Sequence, residues 1–376
     1  MEVSLMALAA ILGVTAPPDV ASCIDRLANT HRFSGVVSVR HPKATTVRVE
    51  GILGGEGSAP IAADTRFNLG SASKMFTAVA VAQLIDAGKI RLDDPIGRSV
   101  GGLTPEAAAA TVRQLLTHTS GLGSFFSPEN LPAITRAHNV AELLPLVAGE
   151  RPAFPPGSRF QYSNTGFLLL GALVERVTGS SYDDYLREHV FKPAGMTTTG
   201  LDPGPAANQA SGMTSMTPHL RPSPNGPPQS PAQGPLQPSP AAAMRGNPAG
   251  GAFSTAADVQ RFFAALVAHK LTSAAMLEKL TSPASPAQPV NGAKPGPQYG
   301  MGFGVGTFEG HRWFGHNGGA PGVNAEAVAF PDDGVVAVVL ANRDPPLASA
   351  LFRELRPLLF DPAAMKACAR AGAQTN

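Results

Sequence analysis

Stretches of alternating or β-branched apolar residues lie near both ends of the chain, and apolar residues at helical spacing lie between them. The end regions predict strands at 35–40, 45–52, 312–316, 322–330 and 335–341. Residues 41–44 join the first two strands as a hairpin, and a turn at 331–334 joins the last two. A helix over 347–360 is predicted to end the ordered chain.

The middle of the chain is mostly helical by the same pattern. A helix is predicted over 71–87, and another over 166–177, with capping residues at 163–165 and Gly179 as its stop. Strands at both ends with helices between them predict one sheet built from the two ends of the chain. A mostly helical lobe, about 71–200, is inserted in it, and the cleft between lobe and sheet is the natural place for chemistry.

The segment 217–240 has nine prolines in 24 residues. Proline lacks a backbone N–H and cannot continue a helix or an interior strand, so this segment is interpreted as an insertion. Two interpretations stay open: a solvated loop without a role, and a flap that borders a substrate cleft.

Composition limits the function classes. The chain has 376 residues, of which 43% are hydrophobic and 15% charged, which is enough to bury a large core. The net charge is +2 and no long run of like charge occurs, so no electrostatic footprint for nucleic acid is present. Cys23 and Cys368 lack the paired spacing of zinc sites or disulfide scaffolds, and no function is assigned to either.

The start of the chain carries an apolar stretch, 3–14, which is too short for a membrane span of about 20 residues. It suits the apolar core of a signal peptide, but an ordinary first helix explains it equally well. Residues 1–18 are therefore a possible leader, and no integral membrane span is expected. A periplasmic or secreted location is expected, with a cytoplasmic one as the alternative.

Three short motifs carry candidate chemistry. The first, Ser71-Ala72-Ser73-Lys74, opens the first long helix. The i, i+3 spacing places the Ser71 hydroxyl and the Lys74 amine on one face, so that a nucleophile stands beside a base. Lysine accepts a proton near neutral pH only if burial or nearby cations lower its pKa. A helix start also offers free amides to an oxyanion beside Ser71.

The second motif, Tyr162-Ser163-Asn164, immediately precedes a predicted helix. In extended backbone, Tyr162 and Asn164 share a face. Tyr162 is a candidate to relay a proton to or from Ser71, and Asn164 to bind a substrate amide or steady Lys74. In the alternative interpretation, residues 163 and 164 are only helix caps and Tyr162 only packs.

The third motif, His316-Asn317-Gly318-Gly319, ends a predicted strand. Glycine here lets a substrate lie against the strand edge, where the Gly319 amide can donate to an oxyanion.

In this order, S-x-x-K, Y-x-N and H-x-G resemble the motifs of the serine β-lactamase-like family, which includes penicillin-binding DD-peptidases, class C β-lactamases and related esterases and peptidases. Further segments carry the resemblance, at 67–70, 116–122, 156–157, 249–255 and 299–304. The resemblance implies an α+β fold, an antiparallel sheet flanked by helices with the helical lobe inserted. It implies one hydrolase domain over 19–362, followed by a tail at 363–376.

The same resemblance implies roles for residues. Ser71 is expected to be the acylated nucleophile and Lys74 and Tyr162 the proton-transfer groups. The amides of Ser71 and Gly319 are expected to form the oxyanion hole. Substrate contacts are expected from Asn164, His316 and Gly318, while two residues of the 116–122 segment, His118 and Ser120, are expected to act structurally. No metal and no organic cofactor are implied.

One residue departs from the classical β-lactamases, because His316 stands where lysine is usual. A lysine holds the carboxylate of a penicillin or a D-alanyl peptide, whereas histidine is mostly neutral near pH 7.

The expected activity is hydrolysis of a small ester, amide or peptide through a Ser71 acyl-enzyme. The alternatives are a β-lactamase or D-alanyl-D-alanine carboxypeptidase, and a catalytically idle binding protein of the same fold. The oligomeric state stays open.

Overall fold

The computed structural model describes residues 18–42, 44–204, 208–216, 234–284 and 298–372. Its α-helices are α1 Pro18–Thr30, α2 Lys74–Asp86, α3 Pro105–Ala108, α4 Val112–Leu116, α5 Leu131–Arg136, α6 Asn164–Thr178, α7 Tyr182–Leu186, α8 Lys192–Ala194, α9 Pro240–Ala243, α10 Ala256–Val267, α11 Ala274–Thr281, α12 Leu347–Leu358 and α13 Pro362–Gly372. Its strands are β1 Gly35–His41, β2 Ala44–Glu50, β3 Phe67–Asn68, β4 Met213–Thr214, β5 Gln237–Pro238, β6 Phe253–Ser254, β7 Gln298–Tyr299, β8 Gly304–Phe308, β9 His311–Ala320, β10 Val323–Phe330 and β11 Val335–Ala341.

The main sheet has the order β2-β1-β11-β10-β9-β8-β7, and its neighbouring strands run antiparallel. Strand β1 lies between β2 and β11, with Gly35 opposite Ala341. All seven residues of β11 are buried, as a continuous apolar run of a central strand requires. The predicted hairpin and the predicted sheet built from both ends of the chain are therefore confirmed.

Each face of the sheet is covered by helices. One face packs against a large core to which the helical lobe contributes α2 and α6, and to which α10 also contributes. The other face packs against α1, α12 and α13. The expected antiparallel sheet flanked by helices is confirmed, and the helical side is the one that carries the candidate motifs.

The end of the chain differs from the prediction. The helix expected over 347–360 ends at Leu358, and α13 follows it and packs on α1. Three of its buried residues, Met365, Cys368 and Ala369, share one face at helical spacing. That stripe is too short to stand out in a segment rich in alanine, so the prediction that the ordered chain ends at 360 is wrong.

The two cysteines also differ from the expectation. Cys23 of α1 and Cys368 of α13 form a disulfide, with their Cα atoms 5.2 Å apart. Spacing rules detect cysteines that are close in sequence, and these two are 345 residues apart. They meet because the two terminal helices cover the same face of the sheet.

Two predictions concern segments that the described residues leave out wholly or in part. The possible leader lies outside them except for its last residue, and the proline-rich segment lies outside them up to residue 233. In the remainder, Gln237–Pro238 forms β5, a two-residue exposed strand that pairs with β4. No helix within the described ranges is long and apolar enough to cross a membrane.

Candidate active site

Ser71 lies in a 3₁₀ turn, Gly70–Ser73, that leads into α2. Asn68 shapes the turn, since its Oδ1 accepts a hydrogen bond from the Gly70 amide at 2.8 Å. Ser73 ties it down, because its Oγ donates to the Gly70 carbonyl and accepts from the Ala252 amide, both at 2.9 Å. The α-helix thus begins at Lys74, three residues later than predicted, and Ser71 sits just before its first turn.

Lys74 is completely buried. Its Nζ lies 3.3 Å from Ser71 Oγ and 2.8 Å from Asn164 Oδ1, and it also contacts the Ala249 carbonyl oxygen. No acidic side chain among the described residues forms an ion pair with it. Burial therefore lowers the pKa of Lys74 well below its usual value.

Asn164 begins α6, directly after the capping residue Ser163, whose Oγ accepts a hydrogen bond from the Gly166 amide. The Asn164 Nδ2 donates to Ser124 Oγ at 2.9 Å. This bond sets the orientation of the amide group, so that Oδ1 faces Lys74. The structure thus places Asn164 against Lys74, one of the two positions that the motif predicted.

Tyr162 completes the group around Ser71. Burial of its hydroxyl raises the pKa of Tyr162, and the nearby Ser71 side chain opposes this shift. The residue as a whole is 38% exposed, so one side of Tyr162 borders open space. The Lys74 Nζ lies 4.8 Å from the ring centroid. Tyr162 is therefore a neutral phenol that lies near Ser71 and borders the cleft.

His118 supports this arrangement from behind. It is fully buried, and its Nδ1 accepts a hydrogen bond from the Ser163 amide at 3.0 Å. Its ring packs against the Tyr162 ring at a tilt of 34°, with the ring centroids 4.2 Å apart. Burial, and then the nearby Lys74 and His316, lower the pKa of His118 well below its usual value. The neutral ring thus connects the Tyr162 segment to the core.

His316 lies on β9 and is 6% exposed. Its Nδ1 donates to the Asn317 carbonyl oxygen at 2.5 Å, which leaves Nε2 to accept from the Tyr299 hydroxyl at 3.0 Å. Burial, and then the proximity of Lys74, lower the pKa of His316 to about 3. Sequence reasoning did not single out Tyr299 as a site residue, although it belongs to the segment 299–304 that supported the resemblance.

The strand after His316 lies against the Ser71 turn. A Cβ atom at Gly318 would stand 2.0 Å from the Leu69 carbonyl oxygen and 3.1 Å from the Ser71 amide nitrogen. A Cβ atom at Gly70 would stand 3.0 Å from the Gly319 amide nitrogen. The two amides expected to form the oxyanion hole therefore belong to backbone segments in direct contact.

A cavity of about 480 Å³ opens beside these residues. Tyr162, Tyr299 and His316 line one end of it. No group of three or more potential metal ligands occurs within the described part of the chain. The site therefore consists of a serine, a buried amine, a phenol and backbone amides. Enzymes that catalyse acyl transfer use groups of these kinds.

Comparison with known proteins agrees with this geometry. Residues 20–359 match the family model described as Beta-lactamase. The chain belongs to the β-lactamase family. Penicillin-binding protein 4 of Amycolatopsis lactamdurans is 29% identical over 327 residues, 84% of this chain and 82% of that protein. Esterase EstB of Burkholderia gladioli is 32% identical over 195 residues, 47% of this chain and 49% of the esterase.

Solved structures of this family extend the similarity. A penicillin-binding protein from Bacillus halodurans superposes with a TM-score of 0.77 at 27% identity, and the match covers 89% of this chain and 98% of that one. A D-stereospecific amidohydrolase from Streptomyces gives a TM-score of 0.69 at 25% identity, covering 90% and 98%. The chain is thus a serine hydrolase with the β-lactamase fold.

Proposed function

We propose that this β-lactamase-family member cleaves ester or amide bonds through an acyl-enzyme on Ser71. The observation that carries the proposal is the set of hydrogen-bond partners around the Lys74 amine. An uncharged amine has two N–H donors and one lone pair. Two neighbours, Asn164 Oδ1 and the Ala249 carbonyl oxygen, can only accept, so they take the two N–H groups. The lone pair is left for the third neighbour, the Ser71 hydroxyl.

This arrangement makes Lys74 a base for Ser71. The lowered pKa favours the uncharged amine, and its lone pair accepts the hydroxyl proton as Ser71 Oγ attacks the carbonyl carbon. The oxyanion that forms is stabilised by the amides of Ser71 and Gly319. The proton then passes from Lys74 through Tyr162 to the leaving oxygen or nitrogen, and the bond to the leaving group breaks. Water hydrolyses the acyl-enzyme and frees Ser71.

Asn164 and Gly318 act in the same scheme as contacts to substrate. The Asn164 amide oxygen already accepts a hydrogen bond from Lys74, and the residue is only partly buried. Gly318 has no side chain, so a substrate can approach the backbone of β9 beside Ser71.

The uncharged His316 favours esters and amides without a carboxylate next to the scissile bond. Its pKa of about 3 means that no positive charge stands there at neutral pH. A β-lactamase or D-alanyl-D-alanine carboxypeptidase is the second candidate, and the similarity to penicillin-binding protein 4 favours it. The contact between Ser71 and an uncharged amine argues against an idle binding protein.

We also propose a periplasmic or secreted location. The disulfide between Cys23 and Cys368 supports it, because disulfides form and persist in oxidising compartments. Mobility shifts after thiol labelling of cell fractions would test it. A fully reduced pair in freshly isolated protein from the native cell would contradict it.

A labelling experiment tests the nucleophile. Intact-protein mass spectrometry after treatment with a fluorophosphonate should show one adduct on the wild type and none on Ser71→Ala. Ser180→Ala, at an exposed loop position, is the matched control and should label normally. An adduct that persists in Ser71→Ala would contradict the assignment. Relative kcat/KM values for p-nitrophenyl butyrate, nitrocefin and D-amino-acid amides would then choose among the activities.

A further inference from the structure

The cavity beside Tyr162 continues around the open edge of the sheet. Strand β8 pairs with β9 only as far as Gly315, so β9 from His316 onward has no β8 partner. His316 is opposite Ala327 and Asn317 is opposite Glu326, and consecutive residues of a strand face opposite sides. Residues from both faces line the cavity. It therefore connects the active-site face with the face that α12 covers.

Helix α12 forms the far end of the cavity. Four of its residues line it, Ser349, Phe352, Arg353 and Arg356. Their spacing of i, i+3, i+4 and i+7 places them on one face of the helix. Together with Trp313 of β9, Phe352 gives this end an aromatic wall.

The two arginines lack the partners that surface arginines usually have. Arg353 is exposed and forms no hydrogen bond or ion pair with another described residue. The Arg356 guanidinium lies over the Phe308 ring, 4.0 Å from its centroid. Its Nε is buried and has no hydrogen-bond partner among the described residues. The exposed guanidinium of Arg353 thus offers unpaired donors to a ligand in the cavity.

The acidic groups near Arg353 and Arg356 form no direct ion pair with them among the described residues. Glu326 also lines the cavity, but its carboxylate accepts a hydrogen bond from Ser349 Oγ at 2.5 Å. Burial raises the pKa of Glu326, although both arginines oppose this effect. Glu309 attracts Arg356 but does not line the cavity. Arg353 is therefore near the Glu326 carboxylate but forms no direct ion pair with an acidic side chain among the described residues.

We propose that this cavity is a leaving-group subsite for an alcohol or amine that has an apolar or aromatic body and a remote anionic group. Trp313 and Phe352 pack against the body, and Arg353 and Arg356 bind the anion. This inference rests on the proposed function, in which Tyr162 gives a proton to the leaving atom. Because Tyr162 also lines the cavity, a leaving group that takes a proton from Tyr162 has this space beside it.

The subsite and His316 together define a charge pattern. An anion directly beside the scissile bond meets an uncharged imidazole. An anion several bonds away reaches the arginines. The preferred substrate is therefore one whose negative charge is separated from the scissile bond by an apolar or aromatic spacer.

Matched esters test the preference. The wild type should hydrolyse 3-(4-acetoxyphenyl)propionate about tenfold faster in kcat/KM than its methyl ester, a ratio typical of one partly desolvated charge contact. The Arg353→Ala variant should lower this ratio at least about fivefold, and Arg353→Glu should bring it below one. Arg40→Ala is the matched control. It removes an exposed arginine from β1, which is separated from β9 by β11 and β10 in the sheet, and should keep the wild-type ratio.

Binding gives a second measurement that does not need turnover. Trp313 is the only tryptophan in the chain and lies in the cavity wall, so its fluorescence reports occupancy. Titration with 3-phenylpropionate should give a Kd at least about tenfold lower than titration with 3-phenylpropanamide. This difference should disappear in Arg353→Glu.

The outcomes separate the two proposals. Ester hydrolysis with equal rates for the anionic and methylated substrates, and no carboxylate preference in binding, would overturn the subsite and leave the proposed function intact. Binding that depends on both the carboxylate and Arg353, without hydrolysis of any ester, would overturn the proposed function and retain the anion site. A ratio unchanged in Arg353→Glu would also overturn the subsite.

Discussion

Replacing Gly318 by alanine should displace the strand that carries the Gly319 amide from the Ser71 turn. A Cβ atom at this position would stand 2.0 Å from the Leu69 carbonyl oxygen, 2.9 Å from the Leu69 carbonyl carbon and 3.1 Å from the Ser71 amide nitrogen. All three are backbone atoms, so no side chain can rotate away to make room. The two segments must separate.

The size of the effect follows from that distance. A carbon and an oxygen that are not bonded need about 3.2 Å, so the backbones must move apart by about 1 Å. A misplacement of about 1 Å in an active site reduces the rate by about 100-fold, which is about 2.7 kcal/mol of transition-state stabilisation. We expect this loss in kcat/KM for p-nitrophenyl butyrate and in the rate of fluorophosphonate labelling of Ser71.

Gly101→Ala is the matched control, because a Cβ atom there meets nothing within 4 Å. It should keep both rates within about twofold of the wild type. Circular dichroism at the assay temperature should show Gly318→Ala folded, so that the loss reflects geometry. A folded Gly318→Ala with wild-type kcat/KM would refute the reasoning that this contact aligns the two amides.

Four further predictions follow from the site and the disulfide. Lys74→Ala and Tyr162→Phe should each lower kcat by more than about 100-fold. The double variant should have a kcat little lower than that of either single variant, since both residues serve one proton path. Single variants with a kcat within a few-fold of the wild type would contradict this. His316→Lys should raise the ratio of kcat/KM for nitrocefin over p-nitrophenyl butyrate about fivefold, because an added cation stabilises the β-lactam carboxylate by about 1 kcal/mol; a wild type that already favours nitrocefin would oppose it. Because burial and the nearby Lys74 lower the pKa of His316 from 6.5 to about 3, the unfolded chain binds a proton below pH 6.5 that the folded chain does not. The free energy of unfolding should then fall by about 1.4 kcal/mol per pH unit toward pH 3, and urea titrations of His316→Asn should show a shallower fall. Finally, reducing the bond between Cys23 and Cys368 should lower Tm, because closing a loop of 345 residues stabilises the fold by up to about 6 kcal/mol in the chain-entropy model. The value of kcat/KM at 25 °C should stay unchanged. Equal Tm values for the oxidised and the reduced protein would argue against this prediction.

The sequence predicted the residues of the site better than the hydrogen bonds between them. Ser71 and Lys74 are three residues apart at a helix start, and one helical turn is enough to bring them together. Asn164 was expected to steady Lys74 or to bind substrate, and its hydrogen bond to Lys74 is present. By contrast, the Ala249 carbonyl oxygen, which takes one of the two N–H groups, is a main-chain atom and has no signature in a sequence.

Contacts between distant segments were the least predictable. Tyr299 reaches His316 because β7 and β8 extend the sheet beyond β9, and these short strands carry a weak period-two pattern. The pairing of Cys23 with Cys368 depends on two terminal helices that cover one face of the sheet. In both cases the partners are set by topology, which local periodicity does not contain.

The glycine junction around Ser71 also has a consequence for protein engineering. The carbonyl of Gly70 accepts a hydrogen bond from the Gly251 amide, and a Cβ atom at Gly250 would come within 3.0 Å of that carbonyl oxygen. The Ser71 turn is thus held in part by main-chain contacts that leave no room for a side chain at these glycines. A saturation library over these glycines should return almost only glycine among its active clones. Diversity aimed at new substrates belongs instead at Trp313, whose partly buried side chain lines the cavity away from the Ser71 turn.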